Sequence, residues 1–372
     1  MHINHFFDKN INMKRIYKNK INTSILYYVF IFMFISILSI YSAGNLLGSP
    51  NLIIKQLIWY IIGFYIIHII IKIDIKKIYK YYKYLYLIGN IFLLILLIFG
   101  KPINNSKCWF NIFGISIQPS EFMKIILIIT NAIVINNNKK NYKLIFKILF
   151  ITLIPSILTF LEPDTGMVII YLIISFTMLF ISNIDIKYFT ISFLFLILFL
   201  SIFLSLYFYN SNTFIRIFGT DFFYRIDRLL DWKNGSGMQL SNALTSIGSA
   251  HIFGFGFNNT PIYFPEAQTD FIFSVFATNY GFIGIILLLI LIIKFDMYLI
   301  KLATKEKNNI NKYIITGIIG MLIYQQIQNI GMNIGLLPIT GITLPFISYG
   351  GSSLISYMIC IGIILNITKK QA

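Results

Sequence analysis

Ten apolar runs, most of them long enough to cross a bilayer and nearly free of charge, recur along the 372 residues of this chain. They cover 25–43, 52–71, 84–99, 122–135, 145–161, 167–181, 188–209, 271–293, 313–330 and 346–367. Inside lipid a backbone must satisfy its own polar groups, and a helix does so within one segment. The pattern therefore predicts an all-α integral membrane protein with about ten transmembrane helices. Composition agrees: 57% of residues are hydrophobic and 12% charged, where a soluble domain carries about a quarter charged residues. The runs leave no room for a separate soluble domain, so residues 1–372 read as a single polytopic membrane domain.

The formal net charge of +17 raises the question of a nucleic-acid partner, and its distribution argues against one. With both termini placed in the cytoplasm, 22 of the 30 Lys and Arg residues fall on the inner side and 7 on the outer, with Lys124 inside a span. That is the positive-inside bias of an oriented bundle, so the charge reports topology. The basic segment "MKRIYKNK" resembles the start of a signal peptide, but the run that follows is longer than an h-region and more spans come after it. It reads as the first retained helix. Cys108 falls in an outer loop and Cys360 in the last span, which makes a disulfide between them unexpected. The four histidines are scattered, without zinc spacing.

One connection stands apart from the short ones. Residues 211–270 form a large extracytoplasmic loop between helices 7 and 8, and loops of that size are usually functional. Within it "DFFYRIDRLLDW" sets apolar residues at helical spacing, with Arg225 and Arg228 three apart on another face. A helix lying on the outer leaflet would offer both guanidinium groups to a pyrophosphate. Pairing with Asp221 and Asp231 on a solvated face explains them as well. "GSAHIFGFGF" carries a G-x-G without the strand or third glycine of a nucleotide loop, and reads better as a flexible loop near a ligand.

Four further stretches place polar groups at the membrane. In "QPSEFMK", Glu121 and Lys124 share a helix face; they either neutralise each other or line a cleft that receives a charged headgroup. In "LEPDTGM", Pro163 suits a first helical position and Asp164 a first turn, while Asp164 can also serve an outer cleft. In "FPEAQTDFIF", Glu266 and Asp270 stand just before a long apolar run. A Thr-Asp pair there can cap the eighth span, or present a carboxylate at the water–lipid boundary. In "GLLPITGITLPFISYGGSSL", Pro338 and Pro345 forbid a continuous helix. Ser348, Gly350, Gly351 and Ser352 then allow either a ligand contact or close helix packing.

"QPSEFMK", "LEPDTG", "QLSNALTSIGS", "FGFGF", "PEAQTDFIFS" and "GLLPITGITLPFISYGGSSL", in this order, closely resemble the SEDS family (shape, elongation, division and sporulation proteins). The match runs from about Tyr41 to Ile367. The resemblance implies ten transmembrane helices in the cytoplasmic membrane and a peptidoglycan glycosyltransferase that polymerises lipid II on its outer face. Length and "NIGMNIGLLPITGI" look more like the elongation-type, RodA-like branch than the division-type, FtsW-like one, which implies a role in rod shape.

In that family the Asp of T-D-F is the essential carboxylate, here Asp270, suited to act as general base on a sugar hydroxyl. The candidate substrate contacts are Glu121, Lys124, Asp164, Arg225, Arg228, Glu266, Ser348, Gly350, Gly351 and Ser352. The family partners are a class B penicillin-binding protein and other proteins of the elongation machinery. The resemblance fixes no cofactor; a divalent cation, Mg or Mn, could help the departing pyrophosphate, though no carboxylate cluster in the sequence demands one. The chain departs from the family pattern twice. Cys108 stands where an Arg usually precedes Trp, and Thr278 and Asn279 stand where two acids usually follow T-D-F. A lipid II flippase and an inactive scaffold are the competing readings.

Overall fold

The computed structural model describes residues 22–100, 107–112, 115–188, 209–220 and 237–369, with some of residues 189–208. Helices α1 (Thr23–Leu46), α2 (Leu52–Lys72), a short α3 (Ile75–Lys80) and α4 (Tyr82–Phe99) open the fold. An antiparallel hairpin of β1 (Phe110–Ile112) and β2 (Ile115–Ile117) follows. Then come α5 (Pro119–Asn137), α6 (Tyr142–Leu161) and α7 (Thr165–Phe180). The described residues of 189–208 are helical. Beyond them lie α8 (Ser211–Phe218), α9 (Met238–Ser249), α10 (Ile272–Lys305), α11 (Asn309–Asn333) and α12 (Gly351–Ile367).

Six of these, α1, α2, α4, α5, α6 and α10, are long and apolar enough to cross a membrane; α7 and α12 are shorter apolar helices. The expected membrane-spanning helical architecture is the one observed. Outward faces are apolar too, as with Tyr84, Leu87, Ile91 and Ile98 on α4, because the surrounding solvent is lipid.

The interior is built around α11, which packs against α5, α7 and α10 and is buried along most of its length. Small residues allow close helix approach. A Cβ on Gly63 of α2 would lie 2.6 Å from Met358 Cγ of α12, and one on Gly362 of α12 would lie 3.1 Å from Ile70 Cβ.

Three boundaries differ from the sequence expectation. Helix α10 continues to Lys305, past the end of its apolar run. Helix α12 begins at Gly351, not Phe346, because Pro345 is followed by a turn in which Leu344 N donates to Ser348 Oγ at 2.8 Å. Pro163 precedes the N-cap of α7 and is not its first residue; Asp164 is the cap.

Helix α10 is also broken. Gly281 has φ +60° and a non-helical backbone, which frees the polar groups around it. Segment 251–256 takes them up: Phe255 N and Gly256 N donate to Thr278 O and Asn279 O, while Phe282 N and Ile283 N donate to His251 O and Ile252 O. The approach is so close that a Cβ on Gly254 would lie 2.4 Å from Asn279 O, and one on Gly281 would lie 2.3 Å from Gly254 N. The glycines of "FGFGF" thus include one for backbone contact with a broken helix, in place of the flexible ligand loop expected.

Candidate active site at one end of the bundle

The starts of α5, α7, α10 and α12 and segment 338–350 meet at one end of the molecule around a cavity of about 910 Å³. Glu121, Asp164, Glu266, Asp270, Gly350, Gly351 and Ser352 line it, joined by Lys55 and Trp59 of α2, Cys108, Gln118, Gln239 and Thr269. Seven of the eleven expected site residues are therefore brought to one space.

The other four are not. Lys124 is fully enclosed: its ammonium pairs with Glu121 and lies over the Tyr357 ring, 4.4 Å from the centroid. Ser356 Oγ completes the arrangement by donating to Glu121 Oε2 at 2.8 Å. Mutual neutralisation accounts for this pair, with Glu121 reaching the cavity and Lys124 buried behind it. Ser348 works on the backbone, its hydroxyl donating to Thr269 O at 2.7 Å. Arg225 and Arg228 lie outside the described residues.

Asp164 caps α7 by accepting from Met167 N at 3.1 Å through Oδ1, while Oδ2 accepts from Gln118 Nε2 at 2.7 Å. Burial lifts its carboxyl to about 6, against the opposing hydrogen bond from Met167. Glu266 closes the turn before α10, its Oε2 accepting from Thr269 Oγ1 at 2.8 Å and Gln268 Nε2 at 3.2 Å.

Asp270 behaves differently, and the structure corrects its reading as a helix cap. The N-cap of α10 is Phe271, without a side-chain cap, and Ser274 N donates instead to Asn333 Oδ1 of α11 at 3.1 Å. Among the described residues the Asp270 carboxylate has no hydrogen bond and no ion pair. It faces the cavity, close to Gly341: a Cβ on that glycine would lie 3.7 Å from Asp270 Oδ2. Burial, then the Glu266 and Asp164 carboxylates, push the Asp270 carboxyl from its ordinary 3.8 up to about 7. A carboxyl poised there can accept or release a proton near neutral pH.

Sequence reasoning passed over Glu162. It is fully buried at the end of α6, with no hydrogen-bond partner for either carboxylate oxygen among the described residues. Burial, then Asp164, raise its carboxyl to about 8. Cys108, where the family usually carries Arg, donates its thiol to the Glu162 carbonyl at 3.0 Å. At the second departure, neutral hydrogen bonds hold the helix. Thr278 Oγ1 meets Ser246 Oγ at 2.8 Å, Asn279 Nδ2 donates to Ser42 Oγ at 2.7 Å, and Thr260 Oγ1 donates to Asn279 Oδ1 at 3.0 Å.

A family model described as FTSW_RODA_SPOVE, cell cycle protein, matches residues 19–372. The chain belongs to this family. It is the SEDS family to which the motifs pointed. The protein of Wigglesworthia glossinidia brevipalpis named "Probable peptidoglycan glycosyltransferase FtsW" is 36% identical, over 86% of this chain and 85% of that one. A protein of the same name from Buchnera aphidicola subsp. Baizongia pistaciae is 35% identical, over 84% and 83%.

Two solved structures share the fold. One, described under "Structural coordination of polymerization and crosslinking by a peptidoglycan synthase complex", has a TM-score of 0.78 at 23% identity, covering 94% of this chain and 97% of that one. The crystal structure of the Rod shape determining protein RodA of Thermus thermophilus has a TM-score of 0.68 at 23% identity, over 94% and 96%. The sequence relatives thus carry the division name, where length and the "NIGMNIGLLPITGI" stretch had suggested the elongation branch.

Among the described residues no three of His, Cys, Asp and Glu are arranged to hold a metal ion. The cavity carboxylates instead turn to backbone amides, to neutral side chains, to Lys124, or to open space.

Proposed function

We propose that this membrane protein is a peptidoglycan glycosyltransferase that extends glycan strands from lipid II, with Asp270 as the general base. The observation that carries the reading is the Asp270 carboxylate: uncommitted to capping, facing the cavity and raised to about 7. Extension needs the O4 hydroxyl of a GlcNAc to attack the anomeric carbon of a MurNAc joined to undecaprenyl pyrophosphate. The hydroxyl proton passes to the Asp270 carboxylate as the new C–O bond forms. The bond to the pyrophosphate breaks, and its electron pair leaves with that group. Pyrophosphate is a good leaving group, so a second carboxyl acting as acid is not needed.

The remaining lining groups suit binding more than proton transfer. Lys55 and the start of α12 at Gly351 and Ser352 offer a cation and helix-end amides to the pyrophosphate. Asp164 and Glu266, already hydrogen-bonded, hold polar walls in place and sharpen the basicity of Asp270. The division names of the relatives support a role in septal wall synthesis in the bacterial inner membrane, with a class B penicillin-binding protein cross-linking the strands. Transport draws no support from Glu121 and Lys124, which pair with each other and do not form an open charged path.

The test is direct. The chain purified with its transpeptidase and supplied with lipid II is expected to give glycan ladders, and Asp270→Asn is expected to give none while still binding the transpeptidase. Ladders of wild-type intensity from Asp270→Asn would remove the base assignment.

A further inference from the structure

We propose that Asn333 and Asn329 are positioning residues for Asp270: by closing the start of α10 from the neighbouring helix, they release the Asp270 carboxylate from capping and fix it toward the cavity. The inference rests on the reading of Asp270 as the base.

The first turn of any helix has orphan amides, and the nearest residues that could accept from them here are Thr269 and Asp270, both of cap-forming type. Neither side chain does so. Asn333, the last residue of α11, supplies the acceptor from 59 positions away: its Oδ1 takes Ser274 N at 3.1 Å and Ser274 Oγ at 2.5 Å. The same side chain then donates in the other direction, from Nδ2 to Asp270 O and to Asn329 O, both at 2.8 Å. Asn329, one turn earlier on the same face, donates to Asp270 O at 2.9 Å and Ile342 O at 2.8 Å. Both asparagines are fully buried.

The two carbonyls before Asp270 are held as well. Tyr349 N donates to Gln268 O at 2.8 Å, and Ser348 Oγ to Thr269 O at 2.7 Å. Three successive carbonyls are thus gripped from outside their own turn, which fixes the peptide planes on either side of the Asp270 α-carbon. An apolar pair at 329 and 333 would pack α11 equally well, but would leave Asp270 O short of its donors, Ser274 Oγ without its partner, and Ser274 N with only the Phe271 carbonyl of its own turn, at 3.0 Å. The carboxylate would then be the nearest replacement cap. Helix packing alone does not call for this set of bonds; aiming a carboxylate does.

The charged groups that face Asp270 set what a measurement will read. Glu266 lies in its own turn and Asp164 on the α6–α7 turn. Lys55 lines the same cavity from α2, and Glu121 of α5 is already paired with Lys124.

The experiment follows lipid II polymerisation by the chain with its transpeptidase, taking kcat and KM from pH 5 to 9 for wild type, Asn333→Ala, Asn333→Asp, Asn329→Ala and Asp270→Asn. Asn333→Ala removes the acceptor, so Asp270 turns in as cap. The acidic limb of kcat/KM is then expected to move to lower pH, with kcat falling about tenfold and KM changing less than about twofold. Asn333→Asp keeps an acceptor for Ser274 but adds a negative charge beside Asp270, so the limb is expected to move to higher pH. Asn329→Ala keeps the cap and loses only donors; it is expected to lower kcat and reads the proposal if Asn333→Ala does not fold.

Opposite displacements in the two Asn333 variants support the positioning role. A limb unmoved in both, or kcat unchanged in Asn329→Ala, overturns it. Polymerisation at the wild-type rate by Asp270→Asn overturns the base assignment itself; a defective Asp270→Asn with unmoved limbs overturns the positioning role alone.

Discussion

Replacing Asp270 with Asn is expected to stabilise the protein while abolishing polymerisation, and the gain is expected to depend on pH. The carboxyl is ordinarily half-ionised at 3.8, but in the folded chain only at about 7. A folded-state value above the unfolded one means that the folded state holds its proton more tightly. Ionisation therefore costs nothing below about pH 4, costs progressively more between about 4 and 7, and reaches a plateau above about 7. The full displacement corresponds to about 4 kcal/mol at pH 8 and about 1.6 kcal/mol at pH 5.

Asp270 is only half-buried, with one side open to the cavity, and water there reduces these figures to about half. Asn is isosteric and does not ionise, so Asp270→Asn recovers what the charge costs: about 2 kcal/mol at pH 8 and under about 1 kcal/mol at pH 5. Thermal unfolding in detergent micelles, followed with a fluorogenic thiol dye, measures this, because the two cysteines, Cys108 and Cys360, are both buried in the fold. The melting temperature of the variant is expected to exceed that of wild type by more at pH 8 than at pH 5. An equal difference at both pH values, or a larger one at pH 5, would refute the argument that burial and neighbouring carboxylates strain this group.

Other expectations follow from the same structure. Polymerisation should lose about tenfold in kcat/KM for each pH step below about 7, as the base takes up its proton, and a steady-state pH series checks this. Gly281→Ala should prevent stable folding, because it pairs a left-handed backbone with a Cβ 2.3 Å from Gly254 N; the penalty exceeds about 3 kcal/mol and shows as loss of monodisperse protein on size exclusion. Lys124→Met should cost about 3–5 kcal/mol by leaving Glu121 buried without its partner, and Glu121→Gln in the same chain should recover most of that in the melting assay.

How much of this was legible beforehand varies with the range of the interaction. The membrane helices are, because an apolar run is a local property and lipid makes it decisive. The gathering of Glu121, Asp164, Glu266, Asp270 and the Gly350–Ser352 stretch was legible through the family motifs. The job of each side chain was less so. Asp270 reads as a cap because Thr-Asp before an apolar run is what a cap looks like, and only the fold reveals that Asn333 has taken that task. Gly254 shows in sequence as loop flexibility, since its reason is a backbone contact with Gly281. The hairpin at 110–117 did leave a signal: "FNIFGISI" places a glycine between two short runs rich in Ile. Glu162 left none, because burial without a partner depends on what the fold packs around the side chain.

The break at Gly281 divides α10 into two levers whose backbone groups at the joint, Thr278 O, Asn279 O, Phe282 N and Ile283 N, bond to segment 251–256. The upper lever, carrying Asp270 at its tip, is bolted to α11 through Asn329 and Asn333. The lower one, from Phe282 to Lys305, passes its load at the joint to segment 251–256. From there the load reaches α1, through the stacking of Phe257 on Tyr41 and the hydrogen bond between Asn258 and Asn45. A bilayer that thickens, or a neighbouring helix that leans on the lower lever, therefore loads the joint and α1. The upper lever meets the same segment through Thr278 O and Asn279 O, and α1 through Asn279 and Ser42, so Asn329 and Asn333 are what hold the carboxylate's aim against that load.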